Sequence, residues 1–533
     1  MKKGGEKTSL IDSAAGSQSL LRSFSLSVCF NSEMRVAILA AAGTLSVRGA
    51  DTALFQLTSD PLYPTAVPPR FLGFSIEVKE APFVFLEGGI GGQPRAAFST
   101  LMNTLRDAAN EPKGPVIRVG GNSADESVWL PAPAPLPLNA TYRITDADFD
   151  AYAAVRAWNG TVVIDTNLRY ADASKNGDAS LPVAHVAAAA KALGWDDLIE
   201  SIEIGNEPDL FYENGIRDPR YTFSDYLNDY GLVARALSQL TPGPRILGAT
   251  WTSKWSESID NFTELMRVYG SNFSSISFHR YPLNVCHGAT TSIMKLLADE
   301  AAAGVAEKTA SFPPLCAPLP FFIGEGNNVA CGGAYGISDV WASALWAVDV
   351  LFNVAAVGVK RYNLHGMPAG PYSAISWKDP TDPTDTAPIV HPVYYGMLAF
   401  AQMTANSSTI LNVTTVSSTN SFIKLWSVRD ANLAQRVVAI HKDLNATEAA
   451  DIKILPASRL GGNAILTRGL PGSRGMFSTA TDEISIGGLS WSTTVDGTPS
   501  GTPTSESIAA NGDGSFSFSL PPASFAIMTL PST

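Results

Sequence analysis

Short β-rich runs alternate with helix-length, alanine-rich segments through most of this chain, and that alternation restricts the fold more than any other feature. Parallel strands cannot be joined by tight turns, and a βαβα order supplies the crossover each pair needs. Eight such runs are present: FLGFSIEV (71–78), PVIRVGG (115–121), TVVIDTNL (161–168), SIEIGNE (201–207), RILGAT (245–250), SSISFHRY (274–281), FFIGEGN (321–327) and VKRYNLHG (359–366). Between them lie segments such as AAFSTLMNTLRDAA, PVAHVAAAAKALG and SDVWASALWAVDVLFN. The expectation is α/β architecture, a (β/α)8 TIM barrel over 61–403, with the proline-rich PAPAPLPL inside a long loop after strand two.

After HPVYYGMLAFAQM (391–403) the texture changes to Ser/Thr-rich alternation, as in QRVVAIHKDL, ADIKILPA and SFSFSLPPASFAIMTL. Period-two runs separated by Gly/Ser turns predict a C-terminal β-sandwich over 404–533, joined by a strand from 51–60.

Residues 1–50 read as a leader. Met34-Arg35 precedes the apolar stretch Val36 to Val47, which has the length of a signal-peptide core, so translation is expected to begin at Met34 and the product to be secreted. Seven N-x-Ser/Thr acceptors, at Asn139, Asn159, Asn261, Asn272, Asn406, Asn412 and Asn445, suit that route. No apolar run reaches the ~18 to 20 residues of a membrane span, so no membrane insertion is expected. With 37 basic against 49 acidic residues and no run of Lys or Arg, nucleic acid is excluded as a partner.

Each predicted strand begins apolar and finishes in polar groups: Glu77, Arg118, Asn167, Asn206 with Glu207, His279 with Tyr281, Glu325, and Asn363 with His365. The C-terminal strand ends of this fold form its active-site face, so these residues are expected to converge. Glu207 closes strand four and Glu325 strand seven, which face each other across the mouth. Two carboxyls in that relation suit glycoside hydrolysis, in which one protonates the leaving oxygen and the other attacks the anomeric carbon. Asn206 is placed to bind a sugar 2-hydroxyl. Arg118 is read either as keeping Glu325 deprotonated or as a structural ion-pair partner, and Glu77 either as accepting from sugar hydroxyls or as a buried salt-bridge member. The chemistry needs only carboxylates and water, so no metal or cofactor is expected.

The ordered set GFSIE, IRVGG, IGNEPDLF, HRYP, IGEGN followed by CGG and GISD, and the C-terminal sandwich resembles glycoside hydrolase family 79, the β-glucuronidase and heparanase family, over residues 51–533. The resemblance implies a retaining mechanism with Glu207 as acid/base, Glu325 as nucleophile and Tyr281 hydrogen-bonding the nucleophile. It also implies that Tyr372 and the Gly332-Gly333 backbone bind a glucuronate carboxylate. His365 stands nearby as a further donor or as a packed loop residue. Without a basic groove for a long sulfated chain, exo removal of a terminal glucuronate, 4-O-methylated or not, is favoured over endo action. Rival readings are the same chemistry on a neutral sugar, as in an arabinofuranosidase or xylosidase, and a catalytically silent carbohydrate-binding protein.

Of four cysteines, Cys29 lies in the leader. Cys286 and Cys331 follow strands six and seven, whose adjacent ends bring two Cα atoms within reach of a disulfide. Their pairing is expected, with Cys316 free; pairing through Cys316 and three separate thiols remain as alternatives.

Overall fold

The computed structural model describes residues 50–531 apart from Asp196. The expected signal segment, the Met34 start and Cys29 lie outside the described residues.

Eight parallel strands close into a barrel: β1 (Leu72–Glu77), β2 (Val116–Gly120), β3 (Val162–Thr166), β4 (Ile199–Ile204), β5 (Ile246–Trp251), β6 (Phe273–Arg280), β7 (Phe321–Gly326) and β8 (Arg361–Gly366). The ring is closed by β8 against β1, in register from Tyr362 opposite Leu72 to Gly366 opposite Ile76. Strands sealed on both faces need apolar residues outward for the helices and a filled lumen inward. Val116, Val163, Leu247 and Phe322 form a small apolar cluster apart from the main core. Because side chains alternate with a period of two, Arg118 and Asp165 come next on the same faces of β2 and β3. A greasy floor is thus followed by a charged layer, and the mouth lies above that.

The covering helices bury stripes at helical spacing. Ala96–Ala108 buries Ala97, Phe98, Leu101, Met102 and Leu105, while Phe223–Leu237 starts at a capping box made by Thr222 and Asp225. The sequence suggests a helix from Ser338, but the helix runs Ala342–Ala356. Its first turn is displaced because the Trp341 amide donates to Ser478 O at 2.7 Å, and its indole donates to Ala523 O and stacks on Phe525. Those bonds tie the barrel to the β-sandwich that follows.

Within the sandwich, strand Thr52–Pro61 pairs antiparallel with Thr409–Ser418 and parallel with Ala450–Leu455. Its inward residues Ala53, Phe55 and Leu57 pack into a separate core with Ile452, Ile454 and Phe516. The described residues therefore begin in the sandwich, build the barrel and return to the sandwich.

Candidate active site

Glu325 reaches the lumen because β7 is bulged. Ile323 pairs with Phe278 and Glu325 with His279, so two residues of β7 oppose one step of β6. Strict alternation from the outward-packed Ile323 would send Glu325 outward as well; the extra residue, Gly324, re-aims it. A Cβ on Gly324 would fall 1.9 Å from Ser277 Oγ, so any side chain there would require Ser277 to shift.

Three side chains hold the Glu325 carboxylate. Arg118 Nη1 donates to Oε2 at 2.6 Å, Tyr281 OH donates to Oε1 at 2.8 Å, and His365 Nδ1 lies 3.6 Å from Oε2. Burial favours the neutral acid, but His365, His279, Arg118 and the Tyr281 hydrogen bond outweigh it and hold the group down at about 2. At neutral pH the fixed cation among these is Arg118, because burial pushes His279 down to about 3 and leaves it uncharged.

All five N–H bonds of Arg118 are used. Nε donates to Glu203 Oε2 at 2.5 Å, Nη1 to Glu325 and to Ser75 Oγ, and Nη2 to Asp165 Oδ2 at 3.3 Å and Asn206 Oδ1 at 2.9 Å. A planar guanidinium with every donor engaged cannot turn, so its face toward Glu325 is set by the residues beneath. Both alternatives posed by the sequence for Arg118 describe this one residue.

Glu207 sits just past β4 in a left-handed conformation, φ 48°, which non-glycine residues seldom adopt. Its amide donates to Thr250 O at 3.1 Å, and Pro208 follows, opening a short 3-10 turn. His279 Nδ1 lies 2.9 Å from Glu207 Oε1 and 4.0 Å from Glu325 Oε2. Burial, then the negative charges of Glu325 and Asp209, push the Glu207 carboxyl well above the usual range. One neutral carboxylic acid and one carboxylate therefore face each other, with an oxygen of each within 4.8 Å of the other.

Glu207, His279 and Glu325 are also the trio among the described residues whose ligand atoms lie close enough to hold a metal ion. The donor chemistry fits a cation poorly. Arg118 already occupies Glu325 with a positive charge, and Glu207 favours its protonated form.

The remaining residues singled out by the sequence surround this pair unevenly. Asn206 is brought to the site, but its carbonyl oxygen accepts from Arg118 and its Nδ2 donates to Asn122 Oδ1, leaving one N–H for a ligand. Among the described residues Glu77 enters no ion pair. Its oxygens accept from the amides of Asn122 and Ser123 and from the Ser123 hydroxyl, so it fixes the turn after β2 and keeps only its remaining lone pairs for sugar hydroxyls. His365 turns Nδ1 to Ser75 Oγ at 3.0 Å, beside Glu325, which places it under the nucleophile. Tyr372 packs edge-on against His365, and its hydroxyl is raised by burial and by Glu325, Glu77, Glu80 and Glu207, so it stands among carboxylates as a neutral O–H donor.

Gly333 lies against Tyr372: a Cβ on Gly333 would come within 2.6 Å of the Tyr372 Cβ. Gly332 and Gly333 have φ of 89° and 80°, and their segment is held from two sides. Val329–Ala330 pairs with Leu283–Asn284, and Cys286 is disulfide-bonded to Cys331 with a Cα separation of 5.4 Å. Cys316 is a buried free thiol. Asn327 Nδ2 donates to both His365 O and Tyr372 O at 2.7 Å, joining the β7 and β8 loops.

Sequence reasoning gave no part to Asp165, Glu203 or Ser75, and none to His279 beyond its place at a strand end. The period-two pattern carries the signal for the first two: each lies two residues beyond a lumen-facing Val163 or Ser201.

No protein-family model matches the chain. A β-glucuronidase of Aspergillus niger is 27% identical over 365 residues, covering 62% of this chain and 64% of that protein. A β-glucuronidase of Neurospora crassa is 25% identical over 385 residues, 66% of each. The match thus spans just under two thirds of the length of these curated relatives. Among solved structures, a 4-O-α-L-rhamnosyl-β-D-glucuronidase from Fusarium oxysporum superposes with a TM-score of 0.67 at 18% identity, over 90% of this chain and all of that one. An arabinofuranosidase from Xanthomonas axonopodis gives 0.59 at 14% identity, again over 90% and 100%. At such identities these likenesses show the fold.

Proposed function

We propose that this chain is a retaining, exo-acting β-glucuronidase of the family 79 type. The observation that carries the reading is the Glu207 and Glu325 pair: oxygens within 4.8 Å, one carboxyl raised and the other lowered. A retaining pair stands about 5 to 5.5 Å apart, whereas inverting enzymes leave about 6.5 to 9.5 Å for a water. Glu325 attacks the anomeric carbon while Glu207 gives its proton to the glycosidic oxygen, and the aglycone leaves as an alcohol. Glu207, now ionised, takes a proton from water, which attacks the glycosyl ester, releases Glu325 and restores the acid. Tyr281 and Arg118 keep Glu325 ionised, and the remaining N–H of Asn206 reaches the 2-hydroxyl.

Two relatives named as β-glucuronidases support the glycon. So does the junction of Tyr372 with Gly332-Gly333, whose amides make no hydrogen bond among the described residues and can donate to an anion. The neutral-sugar reading keeps one observation in its favour: Arg118, the cation at the pair, is spent on protein acceptors. Secretion fits the Cys286–Cys331 disulfide, which persists in oxidising compartments.

Nitrophenyl β-glucuronide beside the matching glucoside and arabinofuranoside tests the glycon; turnover of a neutral glycoside alone overturns it. For the mechanism, Glu325→Ala is expected to lose turnover and regain it with azide, giving the inverted glycosyl azide. A wild-type product of inverted configuration would refute the retaining assignment.

A further inference from the structure

Three carboxylates meet one guanidinium beneath the mouth of the barrel, and two of them have no part in the proposed chemistry. Asp165 and Glu203 are paired across β3 and β4, directly opposite each other in a parallel register, and both are fully buried. Adjacent strands lie about 4.8 Å apart, and residues paired in this way project to the same side. Both carboxyls accept from the same guanidinium, Glu203 from Nε and Asp165 from Nη2 of Arg118. What remains is anomalous: Asp165 Oδ1 and Glu203 Oε1 are each buried with no hydrogen-bond partner among the described residues.

Two ionised carboxylates side by side, each with a bare oxygen and buried from bulk solvent, is an arrangement that proteins relieve by protonation. The charges around the pair do not relieve it otherwise. Arg118 is the cation that faces it, while Asp125 from the loop after β2 and Glu325 from β7 add negative charge. His279 and His365 lie beyond, around Glu325. Asp125 is itself satisfied by the amides of Leu168, Arg169 and Asn206.

We infer that Asp165 and Glu203 together hold one proton and serve as a positioning pair that fixes Arg118 beneath Glu325 without cancelling its charge there. With both ionised, two anions behind the guanidinium would offset its pull on Glu325 and favour a protonated, inert nucleophile. With both neutral, Arg118 would lose the ionic anchors that orient it. One shared proton leaves a single negative charge on each side of Arg118. The upward displacement of both carboxyls by burial agrees. The nucleophile role of Glu325 belongs to the proposed function, but the proton itself can be read without any assay of activity.

A carboxyl whose pKa is raised by folding contributes stability below its unfolded value, and loses it as pH rises through the folded value. The folded chain therefore carries one proton here that the unfolded chain releases, and stability measured by urea denaturation between about pH 5.5 and 8 falls accordingly. Asp165→Asn should reduce the pH slope of stability by one proton, Glu203→Gln by the same amount, and the double variant by no more than either. No change in slope in the single variants means both groups are ionised, and a two-proton change in the double variant means both are neutral; either result overturns the inference. Where a variant fails to fold, neutron diffraction of deuterium-exchanged wild-type crystals near pH 7 decides. One deuteron on the carboxyl oxygens of the pair is expected, and none or two would refute it.

Discussion

Tyr281 donates its hydroxyl to Oε1 of Glu325 at 2.8 Å, while the other oxygen of that carboxylate is taken by Arg118. The two donors differ in what they do. Arg118 supplies charge from below; Tyr281 closes the other side without adding any. Tyr281→Phe removes one oxygen and one charge-assisted hydrogen bond, which contributes about 1.5 to 3 kcal/mol, so kcat/KM is expected to fall roughly 10- to 150-fold. Steady-state kinetics beside thermal melting checks this, because a purely packing role would lower the melting temperature and spare kcat.

Glu207 couples function to stability. Its carboxyl is raised by folding, so its contribution is complete below the ordinary value near 4.5 and is lost as pH rises from there through the folded pKa. Glu207→Gln cannot ionise and escapes that loss. The variant should therefore melt higher than wild type at about pH 7 to 8, with the gap closing below about pH 4. Calorimetry across that range tests it, and a gap independent of pH would show that the burial cost is not electrostatic.

Tyr372 tests recognition of the glycon. Its hydroxyl is expected to donate to the glucuronate carboxylate, so Tyr372→Phe should cost about 10- to 150-fold in kcat/KM on a nitrophenyl glucuronide and little on a glucoside. Equal loss on both substrates would remove Tyr372 from carboxylate recognition.

The Cys286–Cys331 bond holds the segment carrying Gly332 and Gly333 against Tyr372. Replacing both cysteines by serine should raise KM for the glucuronide more than it lowers kcat, since Glu325 precedes the bond and keeps its own partners. Stability is expected to fall by about 2 to 4 kcal/mol for opening a loop of this kind. An unchanged KM would mean that the pairing of Val329–Ala330 with Leu283–Asn284 suffices to place the glycines.

The sequence alone determined the features that depend on local periodicity. All eight barrel strands coincide with the runs read from the chain, five lying wholly inside them and β4, β5 and β6 overrunning theirs by one or two residues, because strand patterning and helix patterning differ in period and the two alternate. Glu207 and Glu325 were legible for the same reason, as ionisable residues at the polar ends of apolar strands. Tertiary structure decided what those residues touch. No local pattern reveals that β7 carries a bulge at Gly324, yet that extra residue turns Glu325 inward. The partners of Arg118 come from β1, β3, β4, the β4 loop and β7, separated by up to 207 positions in the chain. Asp165 and Glu203 read as ordinary strand residues until the closed barrel sets them side by side. Periodicity says which way a side chain points; only closure of the ring fixes which charges share the space it points into, and in a space buried from bulk solvent those neighbours decide where the protons reside.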